Sequence, residues 1–222
     1  MAHKISFFLL FLAILATLQL IAALDYTVQN PAATTPGGIR FTNDIGVNHT
    51  IKTLSTATAF IWKTFQQNTD ADKKKVARVG VFIDDMDGVA YAMNDNIHVS
   101  AKYIKGFSGD VKTEITGVLY HEMTHVWQWN GKGHAPGGLI EGDCGFREAG
   151  YAPRHWVQPG QGNRWDQGYD VTARFLDYCN GLRSCFIADL NKKMRDGYSD
   201  KFFVDLLGKT VDQLWTEYKA KH

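Results

Sequence analysis

His121, Glu122, Met123, Thr124 and His125 set two imidazoles four residues apart, with a carboxylate directly after the first. On a helix, residues at that spacing share one face, so both rings can converge on a single cation. The glutamate projects beside them and can accept a proton from water that the cation activates. A zinc ion in such a setting polarises a carbonyl and lowers the pKa of water, the two things that amide hydrolysis requires. The plainer alternative is a helix with two satisfied histidines and a surface glutamate. The surroundings favour the site. The segment VKTEITGVLYHEMTHVWQWNG repeats apolar residues at Ile115, Val118, Leu119, Met123 and Val126 with a helical period, and it stops near Asn130 and Gly131.

A zinc site of this kind needs a third protein ligand and an open position. Glu141 is the first choice, early in a second helix after Gly137, Gly138, Leu139 and Ile140, and its separation resembles the thermolysin-like set of two His and one Glu. His134, on the intervening loop, is the alternative. The longer H-E-x-x-H-x-x-G-x-x-H pattern does not apply, because Gln128 stands at its Gly position and Gly131 at its third His. Tyr169, which opens GYDVTARFL after a Gly-rich loop, and His155 are candidates to donate to a developing oxyanion. For both, a packing or surface role is the competing reading.

The elements that must position these residues are legible in outline. The stretch DYTVQNPAATTPGGIRF, residues 25–41, reads as an extended strand or arm broken by a turn at Pro31, Pro36, Gly37 and Gly38. Asn43 to Gln67 has the period of an amphipathic helix. Three short runs, VARVGVFIDD, GVAYAMND and NIHVSAKYI, are separated by Asp-Gly and Asn-Asp punctuation and predict a small, mainly antiparallel sheet. NIHVSAKYI is the expected edge for pairing with an extended peptide. Asp84, Asp85 and Asp87 before Gly88 read as a hairpin turn, since no Glu completes a calcium loop. From Gly168 onward, four amphipathic segments divided at Gly181, Gly197 and Gly208 predict a helical C-terminal half. The fold class is therefore α+β, in one domain over residues 24–222.

Residues 1–23 have the layout of a signal peptide: Lys4, an apolar run from Ile5, and the small pair Ala22 and Ala23 before Asp25. An uncleaved anchor is the competing reading. Their removal takes one Lys from 24 basic residues and leaves the 23 acidic ones, a neutral balance of 23 against 23. Nucleic-acid binding through a broad basic surface is disfavoured on that count. The run Lys73, Lys74, Lys75 and Arg78 reads as a solvated segment. In an oxidising compartment Cys144, Cys179 and Cys185 permit at most one internal bridge, and Cys179 to Cys185 is a candidate if a helix breaks between them. Asn48-His49-Thr50 is an N-glycosylation acceptor pattern, usable if exposed.

Three stretches, HEMTHVWQWNGKGHAPGGLIEG, AGYAPRHWVQPGQGNRWDQGYDVTARFLDYCNGL and YSDKFFVDLLGKTVDQLWTEYKA, resemble the plant basic secretory protein family, pathogenesis-related proteins classed with zincin-type peptidases. The resemblance covers essentially the whole chain after residue 23. It implies a zincin-like fold and an extracellular, defence-associated zinc endopeptidase acting on peptide or protein substrates. The zinc ligands would match His121, His125 and Glu141, and the base Glu122. One departure stands out: Glu141-Gly142 is followed at once by Asp143-Cys144-Gly145, as though two residues were missing. Such a loss turns a helix by roughly 200°, displacing the Asp that would support a ligating His. Two rival readings remain. One is a non-catalytic extracellular defence or binding protein that keeps the scaffold. The other is a carbohydrate-active protein using carboxylates with Trp127, Trp129, Trp156 and Trp165. A monomer, free of the membrane once the leader is cleaved, is the default assembly.

Overall fold

In RVGVFID every second residue from Val79 is a β-branched aliphatic, and the alternation drives one face of that strand into the core. The computed structural model describes residues 24–142 and 156–222. The expected leader, together with Asp143, Cys144, Gly145 and His155, lies outside those residues. The sheet has four strands, β1 (Asp25–Gln29), β2 (Arg78–Asp84), β3 (Ala90–Met93) and β4 (Asn96–Ser100), in the order β1, β2, β4, β3. Val79, Val81 and Ile83 of β2 and Ile97 and Val99 of β4 form its buried face.

The α+β class is borne out, but the pairing differs from expectation. β1 and β2 are parallel, as are β2 and β4, and only β3 and β4 are antiparallel. Short runs divided by turn residues suggest successive hairpins. Here just one such turn joins neighbours, at Asn94 and Asp95, both with positive φ (51° and 60°) as a type I′ hairpin demands. The loop after Asp84 carries the chain past the place of β4, so β3 becomes the edge and β4 returns between it and β2. The Asp84 to Gly88 segment is thus a crossing loop rather than a hairpin turn. The edges fall on Asp25–Gln29 and Ala90–Met93, not on NIHVSAKYI, whose strand is interior.

A parallel pair requires a long crossover, and residues between β1 and β2 supply it: α1 (Pro36–Arg40), a π-helical turn (Phe41–Ile45) and α2 (Val47–Thr64). The helix expected from Asn43 starts four residues later, because Gly46 with φ of 78° interrupts it. After β4 come α3 (Ala101–Gly106) and α4 (Val111–Trp127). The Asp110 side chain accepts from the backbone N–H groups of Lys112 and Thr113 and starts α4 cleanly, with Glu114 in the first turn. α2 lies along α4 in the same direction: His49 meets Thr116 at 2.9 Å, Phe60 packs edge-on to Tyr120 at 5.9 Å, and Trp62 on Trp127 at 5.0 Å. These contacts tie α4 to α2 along most of its length.

The C-terminal half follows a five-residue helix, α5 (Gly137–Glu141), and comprises α6 (Tyr169–Leu182), α7 (Phe186–Lys193), α8 (Lys201–Leu207) and α9 (Val211–Lys221). Phe175, Phe186, Phe203 and Tyr218 form its aromatic centre, each essentially inaccessible to solvent. Gly197 and Gly208 fall at breaks as expected, whereas Gly181 lies inside α6. Cys179 is a buried free thiol and Cys185 an exposed one, so no bridge joins them. Among the described residues no helix is long and apolar enough to cross a membrane.

Candidate metal centre

α4 buries Ile115, Leu119, Met123 and Val126 against the core, and that choice of face turns His121 and His125 together toward α5. The two rings stand edge-on with centroids 4.5 Å apart, and their Nε2 atoms are separated by 3.0 Å. Glu141 of α5 brings its Oε2 to 3.3 Å from His121 Nε2 and 3.7 Å from His125 Nε2. Bonds of about 2.05 Å to a tetrahedral ion imply donor separations of about 3.3 Å. The observed triangle brackets that value, and the donor set of two imidazoles and one carboxylate suits zinc. Among the described residues these three are the group able to hold an ion. His134 is exposed and keeps to its own loop, its Nδ1 near the Lys132 carbonyl at 3.3 Å, so the alternative third ligand is not supported.

Glu122 projects from the same helix and is buried, with its Oε2 lacking a hydrogen-bond partner among the described residues; His125 Nδ1 is likewise unpartnered. Burial raises the Glu122 carboxyl above its ordinary range, opposed by His121 and His125 and reinforced by Glu141. Glu141 is shifted the other way. The imidazole of His121, then that of His125, holds it far below the usual carboxylate range, against partial desolvation. The two carboxyls, close together, are thus shifted in opposite directions by their surroundings.

Glu141 sits on a helix too short to be stable alone, and close packing holds it. A Cβ on Gly138 would lie 1.8 Å from the Asp166 carbonyl oxygen, and one on Gly142 would lie 2.3 Å from the Thr172 methyl. Glycine at both positions therefore lets α5 press against the start of α6. Thr172 secures that start, donating to the Trp165 carbonyl at 2.7 Å and accepting from the Gly168 N–H at 2.8 Å. The same junction presents Tyr169 with φ of 45°, largely exposed, its ring 6.3 Å from that of His121 and nearly parallel to it. The Glu141 charge, then partial burial, then Glu122 raise its phenol pKa. The structure thus brings Tyr169 to the cluster. The Trp residues do not assemble: Trp127 packs on Trp62, Trp129 lies between Lys74 and Arg195, Trp156 under Arg174, and Trp165 in the aromatic core.

Sequence reasoning missed Lys74. It is half-buried, and its Nζ donates to the His125 carbonyl at 3.3 Å at the end of α4, where a cation complements the helix dipole. The basic run is therefore not uniformly solvated, and no local signal distinguishes Lys74 from its neighbours. Burial lowers its pKa from an ordinary 10.5 to about 8, with the Asp95 charge opposing. Between those values the unfolded chain keeps the proton and the folded chain releases it, so stability rises with pH over roughly 8 to 10.5. Urea unfolding across that window should show the rise, and Lys74→Met should flatten it.

A donor triangle of this composition beside a buried glutamate is compatible with a metallopeptidase. The chain belongs to the BSP family, peptidases of plants and bacteria, whose model matches residues 21–218. It is similar to the basic secretory protease of Boswellia serrata, 48% identical over 58 residues that make up 26% of this chain and 66% of that protein. No solved structure matches.

Proposed function

We propose that this protein is a secreted zinc-dependent endopeptidase. The observation that carries the reading is the convergence of His121, His125 and Glu141 donors beside the buried, unpartnered carboxylate of Glu122. His121, His125 and Glu141 would hold the ion. Zinc there supplies Lewis-acid polarisation of the scissile carbonyl and a water of lowered pKa. Glu122, made more basic by burial, takes the proton from the attacking water and returns it to the departing amine. Tyr169, kept protonated by the neighbouring carboxylates, donates its hydroxyl to the developing oxyanion.

The edge strand β3 is placed to receive an extended substrate, since its outer side pairs with no other strand of the sheet. Strand β3 also packs against α4, the helix that bears both histidines. The extracellular setting is supported by a relative named a secretory protease, and the role in plant defence by the resemblance to pathogenesis-related basic secretory proteins.

The test combines metal analysis with chelator-sensitive cleavage of an unfolded protein substrate, run beside Glu122→Gln. Bound zinc without Glu122-dependent cleavage would favour a non-catalytic binding protein on the same scaffold. A further expectation concerns the α5 junction. Gly138→Ala drives a methyl into the Asp166 carbonyl and shifts Glu141; zinc affinity, read by competition with a chromophoric chelator, should fall by about 10- to 100-fold, as for loss of other ligand supports.

A further inference from the structure

We propose that Asn48 carries an N-linked oligosaccharide, attached before α2 closes. This rests on the secretory route of the proposed function and not on its peptidase chemistry. The acceptor pattern Asn48-His49-Thr50 occupies the first turn of α2. The buried face of α2 consists of Thr50, Thr53, Leu54, Ala57, Thr58 and Ile61. At 3.6 residues per turn, Asn48 points roughly 150° away from the centre of that face. Its side chain is exposed and makes no hydrogen bond among the described residues, so a substituent on Nδ2 displaces no packing. Beside it Val47 is 46% exposed, which leaves the adjoining surface open as well.

Thr50 dictates the timing. Its hydroxyl is needed for recognition of the acceptor, yet in the folded protein the residue is fully buried and donates to the Gly46 carbonyl at 2.9 Å. The turn is further pinned by His49 Nε2 against Thr116 Oγ1 at 2.9 Å. The folded chain therefore presents the asparagine but hides the threonine, and transfer belongs to the nascent chain in the secretory compartment. The donor is a polyprenyl-diphosphate-linked oligosaccharide. The Asn48 amide nitrogen bonds to the anomeric carbon of the first sugar, the bond from that carbon to the diphosphate oxygen breaks, the polyprenyl diphosphate leaves, and a base takes the amide proton.

The full chain, with residues 1–23 retained, should be produced in plant cells and recovered from both medium and cells. Peptide N-glycosidase A treatment in heavy-oxygen water, followed by mass spectrometry, reports occupancy as labelled Asp at position 48. Wild type and Thr50→Ser should carry the label and show a mobility shift on deglycosylation. Asn48→Gln and Thr50→Val should show neither. An unlabelled Asn48 in wild type overturns the inference: protein found in the medium without the label leaves the secretion reading standing, and protein retained unprocessed in cells removes both. A shift that persists in Asn48→Gln also overturns it.

Discussion

Glu122→Gln is expected to lower kcat/KM for an unfolded protein substrate by about 10²- to 10⁴-fold, the usual worth of a positioned general base. The substitution preserves shape and burial while removing the group that accepts the proton. Zinc content should be unchanged, because the three donors are elsewhere. Stability provides the control. The folded carboxyl has a pKa raised by burial, so above the ordinary glutamate range the ionised side chain weighs against the folded state. A neutral amide relieves that cost, and the variant should resist urea as well as wild type or better. An inactive, zinc-loaded and undiminished protein would tie the chemistry to this one carboxylate; full activity in Glu122→Gln would sink the assignment.

Removal of the ion should have the second largest effect. Prolonged chelation, or His125→Ala, is expected to abolish cleavage, with recovery on added zinc in the first case only. The metal also contributes to folding. At free zinc a thousandfold above Kd, binding to the native state alone stabilises it by about 4 kcal/mol. Chelated protein should therefore unfold at distinctly lower urea, by an amount that grows with the zinc concentration chosen for comparison. Without the ion the cluster does not simply fly apart: the imidazoles, 3.3 Å and 3.7 Å from Glu141 Oε2, already favour its ionised form. That contribution to the metal-free protein is present above the ordinary glutamate pKa and fades as pH falls toward the depressed one. A chelated protein with unchanged unfolding and unchanged activity would refute the metal reading.

What could be read from the chain in advance was what depends on local order. The helix bearing His121 and His125 was legible because its apolar period is contained in seventeen consecutive residues. Glu141 was legible through its Gly-rich approach and the family resemblance, and Tyr169 through its place at the head of a helix. The parallel pairings were not, since β1 and β2 meet across α1 and α2, and β2 and β4 meet only because β3 folds to the outside. Nor was the burial of Lys74, which depends on the end of α4 and on Trp129. The close approach of Gly138 and Gly142 to Asp166 and Thr172 is likewise a contact between segments that nothing local announces.

Two of the three candidate donors are anchored in the half built on the sheet, while the third depends on a short helix seated against the aromatic half. An ion spanning them would act as a clasp across the seam. Its grip would then report on the integrity of the whole molecule, and a substitution deep among Phe175, Phe203 and Tyr218 could silence the enzyme by loosening one carboxylate, with both imidazoles untouched.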